Sequence, residues 1–129
     1  MVYGIEHSAI AAKDSKALCE WYNETFGTKT VYDNGKGTYF VAFENGDMIE
    51  IISAETEKPE DTEKMQGIRH LALSVTSEAF DELVPVLKAE PRVSEVHDVS
   101  ENANGLKTYW FRDIEGNFMH LIYRPNPLV

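Results

Sequence analysis

The chain has 129 residues, 43% of them hydrophobic, and 12 Lys+Arg against 22 Asp+Glu give a formal net charge of −10. That length and composition suit one compact globular domain and exclude wholesale disorder, while the absence of Lys/Arg clusters excludes phosphate-led binding to nucleic acid or to an anionic membrane surface. The start MVYGIEHSAI lacks the basic flank and apolar core of a signal peptide, no apolar run approaches a bilayer span, and the single Cys19 allows no intrachain disulfide; together these predict a cytoplasmic protein.

In chain order, alternation predicts a first strand over residues 5–12. Asp14 is a candidate N-cap for a helix whose apolar face is Ala17, Leu18, Trp21, Tyr22 and Phe26, with Gly27 as its C-cap. Cys19 falls inside this pattern with no cationic cluster to activate it and reads as packing. Short strands are expected near 29–32, 38–43 and 47–53, with Asn34-Gly35 and Asn45-Gly46 as hairpin signals. Residues 55–66, rich in Glu, Lys, Thr and Asp, read as a solvated linker. A strand over 68–75 follows, then a helix over about 77–89, then strands near 93–99, 106–112 and 117–123. Pro85 inside the helical pattern predicts a kink or a late start.

The two halves repeat one another. Ile5-Glu6-His7-Ser8-Ala9-Ile10 lies over Ile68-Arg69-His70-Leu71-Ala72-Leu73, so that His70 follows His7 by 63 positions. Asn34-Gly35, Tyr39-Phe40-Val41 and Gly46 to Ile52 lie over Asn104-Gly105, Tyr109-Trp110-Phe111 and Gly116 to Ile122 at a spacing of 70. Helix and loop length absorb the difference. The expected organisation is a module over 1–54, the linker over 55–66, a module over 67–124 and a tail over 125–129. Each module is strand, helix, then three strands, and at about sixty residues neither buries both faces of its sheet alone.

Period-two alternation places His7 with Ile5 and Ala9, His70 with Ile68 and Ala72, Glu50 with Met48 and Ile52, and His120 with Phe118 and Ile122. Each is a polar residue in an apolar row. His7 matches His70 in the repeat, and Glu50 matches His120, each four residues after a Gly. Buried carboxylate and imidazole groups are costly without partners, and these are the ligand types of Zn, Ni, Co, Mn and Fe. A shared divalent metal satisfies all four at once. His97, in Ser94-Glu95-Val96-His97-Asp98, has no evident counterpart in the first half and reads as surface or loop.

Paired modules with a His on each first strand and a ligand on each last strand resemble the vicinal oxygen chelate superfamily, the glyoxalase and bleomycin-resistance fold. The marks are Ile5-Glu6-His7, Met48-Ile49-Glu50-Ile51, Ile68 to Val75 and Phe111 to Leu121. The resemblance implies an α+β fold of two tandem βαβββ modules whose mixed sheets form a half-barrel cleft. It also implies metal ligands at His7, Glu50, His70 and His120, a small-molecule substrate, and a homodimer whose modules pair within one chain or across two. Glyoxalase I carries a Glu at the last ligand position, where this chain has His120; that leaves Glu50 as the only carboxylate and the better candidate base, with His120 as the second proton-handling group. Many glutathione-dependent glyoxalases carry an Arg where this chain has Ala11.

Four protein ligands in an octahedral shell leave two adjacent positions for two neighbouring substrate oxygens, and a Lewis acid there stabilises an enediolate. The leading expectation is therefore a metal-dependent lyase or isomerase of the lactoylglutathione lyase type. The alternatives are a non-haem iron extradiol-type dioxygenase and a drug-binding resistance protein without catalysis. Tyr39, Lys107, Tyr109, Trp110 and Arg112 lie on strands near the expected cleft and are candidates to hold the rest of a substrate.

Overall fold

In the computed structural model, which describes all of Met1–Val129, the elements run β1 (His7–Ala12), α1 (Ser15–Phe26), β2 (Lys29–Asp33), β3 (Tyr39–Ala42), β4 (Met48–Ser53), β5 (Leu71–Ser74), α2 (Ser77–Ala89), β6 (Ser94–Glu101), β7 (Lys107–Arg112) and β8 (Phe118–Tyr123). This is βαβββ twice, and the chain divides into two units, Met1–Pro59 and Glu60–Val129, each with one helix and one four-stranded mixed sheet. No helix is long and apolar enough to cross a membrane.

In the first unit the strand order is β1-β4-β3-β2, with β1 parallel to β4 and the remaining pairs antiparallel. A parallel pair needs a long crossover, and α1 with the hairpins after it supplies one. Asp14 caps α1 by accepting the Ala17 N–H at 3.0 Å, and Gly27 ends it in the left-handed region at φ 71°. Leu18, Cys19, Trp21 and Tyr22 are buried on the helix side, and Ile10, Ala12, Val41, Ile49 and Ile51 are buried on the sheet. Cys19 is a packing residue here, with its Sγ 3.2 Å from Thr30 Oγ1.

The second unit repeats the scheme with order β5-β8-β7-β6 and β5 parallel to β8. Thr76 caps α2 through the Ala79 N–H at 3.1 Å, and Phe80, Val84 and Leu87 are its buried side chains. The helix runs through Pro85 from Ser77 to Ala89, so the late start does not occur; the proline ring lies on the solvent side, where it displaces no packing.

Both first strands are shorter than the alternation suggests. The β1–β4 ladder starts at His7 with Met48 and the β5–β8 ladder only at Leu71 with Met119, so the residues before His7, and His70 with those before it, have no ladder partner, and Ile5 and Ile68 are exposed. Nor is the expected linker uniformly solvated. The Asp61 carboxylate pairs with Arg69, its carbonyl accepts from Arg112 at 3.2 Å, and Glu63 Oε2 lies 3.0 Å from His97 Nε2, so residues 61–63 are tied to the second unit.

Candidate metal centre

In each unit one face of the sheet packs on its helix and the other carries the candidate ligands. In the first, His7 opens β1 and Glu50 lies in β4, across from Ala9 on one side and Phe40 on the other. His7 Nε2 is 3.8 Å from Glu50 Oε1, too long for a hydrogen bond, while His7 Nδ1 is 2.8 Å from Glu6 Oε1. A carboxylate on one ring nitrogen with the other left facing a second donor is the usual setting of a ligating imidazole. Phe40 sets its ring edge-on to His7 at 5.1 Å, and Tyr32, across from Phe40 in β2, lies 5.8 Å beyond.

The second unit builds the same pattern from different residues. His120 lies in β8 across from Ala72 and Trp110. The Trp110 indole stacks on the His120 imidazole at 4.0 Å with 17° between planes, and His70 stands edge-on to both rings, 5.1 Å from His120 and 4.7 Å from Trp110. His120 is only 6% exposed, and its Nδ1 is buried without a hydrogen-bond partner. Burial, and then the neighbouring His70, push the His120 imidazole below its ordinary pKa, so it is held neutral, the form that ligates a metal. Each pair by itself, two imidazoles in the second unit and an imidazole with a carboxylate in the first, is of the donor types that fit a divalent transition metal. Each unit by itself gathers two of the four side chains, and neither gathers three or more.

The two faces correspond residue by residue. Phe40 lies across from Glu50 as Trp110 lies across from His120, and Tyr32 lies across from Phe40 as His97 lies across from Trp110. His97 is therefore on a strand rather than in a loop, remains exposed as expected, and has a topological counterpart in Tyr32. Ladder irregularities on both sides of His97 hide that match from any fixed sequence spacing.

Three of the candidate substrate-binding residues are corrected. Tyr39 lies across from Ile51 and Tyr109 across from Leu121, on the helix-facing sides, and Tyr109 is fully buried. Lys107 shares that side: its Nζ is 2.9 Å from Ser77 Oγ and 3.2 Å from Asp81 Oδ1, both on α2. The physical reason is alternation itself, since only Trp110 and Arg112 are in step with His120. Arg112 sets its guanidinium 4.1 Å over the Phe118 ring. Glu6, Phe40 and Glu63 carry roles that the sequence reading left out. Glu6 was detectable as the carboxylate next to His7, and Phe40 as the residue ten before Glu50, matching Trp110 before His120.

No curated protein matches the sequence. Among solved structures, a glyoxalase/dioxygenase from Nostoc punctiforme is similar at TM-score 0.79 and 16% identity, covering 96% of this chain and 92% of that one. A fosfomycin resistance protein, FosX, from Listeria monocytogenes, solved as a point mutant with Mn(II) and 1S,2S-dihydroxypropylphosphonic acid, is similar at 0.72 and 20% identity, covering 94% and 90%. Lactoylglutathione lyase from Agrobacterium tumefaciens is similar at 0.68 and 19% identity, covering 95% and 94%. At these identities the likeness carries the fold, which is of the glyoxalase type. The family profile of the Glyoxalase/Bleomycin resistance protein/Dioxygenase superfamily matches residues 4–121, and the chain belongs to that superfamily.

Proposed function

We propose that the protein is a divalent-metal-dependent lyase or isomerase of the glyoxalase type, acting on a small substrate with two adjacent oxygens, and that His7, Glu50, His70 and His120 hold the metal. The observation that carries this reading is the repeated dyad. Each unit sets a His at or just before the start of its first strand beside a donor on its last strand, and the His120 Nδ1 is buried with no side-chain partner. The Mn(II) in the FosX structure supports a divalent ion in this fold. When bound, such an ion supplies a Lewis acid that lowers the cost of an enediolate.

The chain's own residues supply the rest. Glu50, as the one carboxylate of the set, takes the proton from the substrate carbon at an Oε atom and returns it to the neighbouring carbon. Glu6 holds His7 Nδ1, so that His7 Nε2 faces Glu50. The neutral His120 ring would accept a proton at a nitrogen that the metal does not hold. Trp110, in step with His120, gives a flat apolar surface for the body of the substrate, and Arg112 a cation beyond it.

Metal analysis of protein purified without chelator tests the reading. Stoichiometric divalent metal is expected, lost in His70→Ala and kept in His97→Ala. A metal-free protein whose stability EDTA leaves unchanged overturns it in favour of a non-catalytic binding protein. Oxygen uptake with Fe(II) and a catechol overturns the lyase chemistry in favour of a dioxygenase, a reading the three-imidazole, one-carboxylate donor set also supports.

A further inference from the structure

We infer that Trp110 is the positioning residue of the second-unit ligand pair, fixing the ring planes of His120 and His70 by stacking where a hydrogen bond ordinarily would. The inference rests on the metal reading above. A ligating imidazole is usually oriented by a hydrogen bond from its other nitrogen to a carboxylate or carbonyl. His7 has that partner in Glu6. No carboxylate bonds either nitrogen of the His120 ring, which has only a backbone contact at Leu121, and what lies against the ring is the Trp110 indole, nearly parallel at 4.0 Å. The same indole meets His70 edge-on at 4.7 Å, so one side chain touches both histidines.

Trp110 is itself held. From β6, His97 stands edge-on to it at 6.3 Å, and His97 Nε2 is 3.0 Å from Glu63 Oε2. The indole is therefore bracketed by imidazoles on both neighbouring strands, and aromatic pairs in such edge and stacked geometries add attraction beyond area burial. The first unit independently repeats the device, with Phe40 across from Glu50 and edge-on to His7. An aromatic ring at this register is thus common to both units, and an indole N–H is not required.

Titration of the full-length metal-free protein with Co(II) alone, followed by calorimetry and by visible absorption, tests the inference. Trp110→Leu is expected to weaken Co(II) binding by about 10-fold or more, the range for losing a residue that orients a ligand, and to alter the absorption bands. Trp110→Phe, copying Phe40, restores both to near wild type. Equal affinity and equal spectra in wild type and Trp110→Leu, or a loss in Trp110→Phe as large as in Trp110→Leu, overturn the inference while leaving the metal site standing. No Co(II) binding by the wild type overturns the metal reading, and this inference with it. A second measurement needs no folded Trp110→Leu protein. In Trp21→Phe, Trp110 is the one remaining tryptophan, and its emission falls in step with bound Co(II); binding without quenching overturns the contact.

Discussion

Asp113 shows how one side chain sets the place of a ligand. Its carboxylate is 1% exposed, and Oδ1 accepts from the backbone N–H groups of Glu115 and Asn117, both at 2.9 Å, and from Asn117 Nδ2 at 3.0 Å. These bonds close the β7–β8 hairpin, and His120 follows its Gly116 by four residues. In the first unit Phe43 stands in Asp113's place, and Asn45 bonds the Asp47 N–H instead. Asp113→Ala leaves two backbone donors in a half-buried turn without their carboxylate partner, and is expected to cost about 1–3 kcal/mol in urea unfolding, with Asp113→Asn costing less. A cost under about 0.5 kcal/mol, the scale of a neutral surface change, shows that the turn holds without the carboxylate. Tyr109, on the opposite face of the same strand as Trp110, gives a pH signature. Burial, then Glu95, raise its phenol to about 12 from 10.0. The folded pKa is the higher one, so the neutral phenol stabilises the fold below pH 10, and that contribution is lost as pH rises from 10 through 12. Spectrophotometric titration of phenolate should therefore show one late transition that Tyr109→Phe removes, along with part of the alkaline loss of stability, roughly 2–3 kcal/mol for a shift of this size. A Tyr109→Phe curve that keeps the late transition assigns it to another tyrosine.

At the scale of elements, α2 carries a built-in defect. Pro85 has no N–H for the Asp81 carbonyl, and its ring lies on the exposed side of the helix, where no packing offsets the loss. Pro85→Ala is expected to stabilise the protein by about 1–3 kcal/mol in chemical unfolding. No gain, or a loss, means that the helix depends on a bend the proline imposes. The caps, periods and turns that define elements are local, which is why Asp14, Gly27 and the repeat made the βαβββ order legible from sequence. The same period-two rule picked out His7, Glu50, His70 and His120 as residues on the side of each sheet turned away from its helix. Tyr39, Lys107 and Tyr109 were misjudged because nearness to a cleft was read from the strand and not from the step along it. One residue on β7 separates Tyr109 in the core from Trp110 on His120. The counterpart of His97 was hidden for a different reason. The irregular β6–β7 ladder shifts the register of His97, and only the pairing of strands, which is not local, aligns it with Tyr32.

At the scale of the molecule, neither unit offers more than two of the proposed donors, and a two-ligand site holds a transition metal weakly. On the proposed reading the four donors serve one ion, so losing any one of them removes metal binding. Binding to the folded state alone adds about 2.7 kcal/mol at a free metal concentration 100 times Kd, which for a domain of this size raises Tm by on the order of 10 °C. Thermal unfolding in Co(II) should show that rise in the wild type and no rise in His7→Ala or in His70→Ala, although the two lesions sit in different units. The net charge of −10 supplies the control, because any divalent cation screens a surface with 22 acidic residues. Ca(II) prefers oxygen ligands to imidazole, so at the same concentration it reports that screening without the site. A Co(II) effect no larger than that of Ca(II) reduces the metal to a counterion. A rise that survives at half its size in either single variant means that the two dyads bind separate ions, and it rejects the shared centre while keeping each dyad.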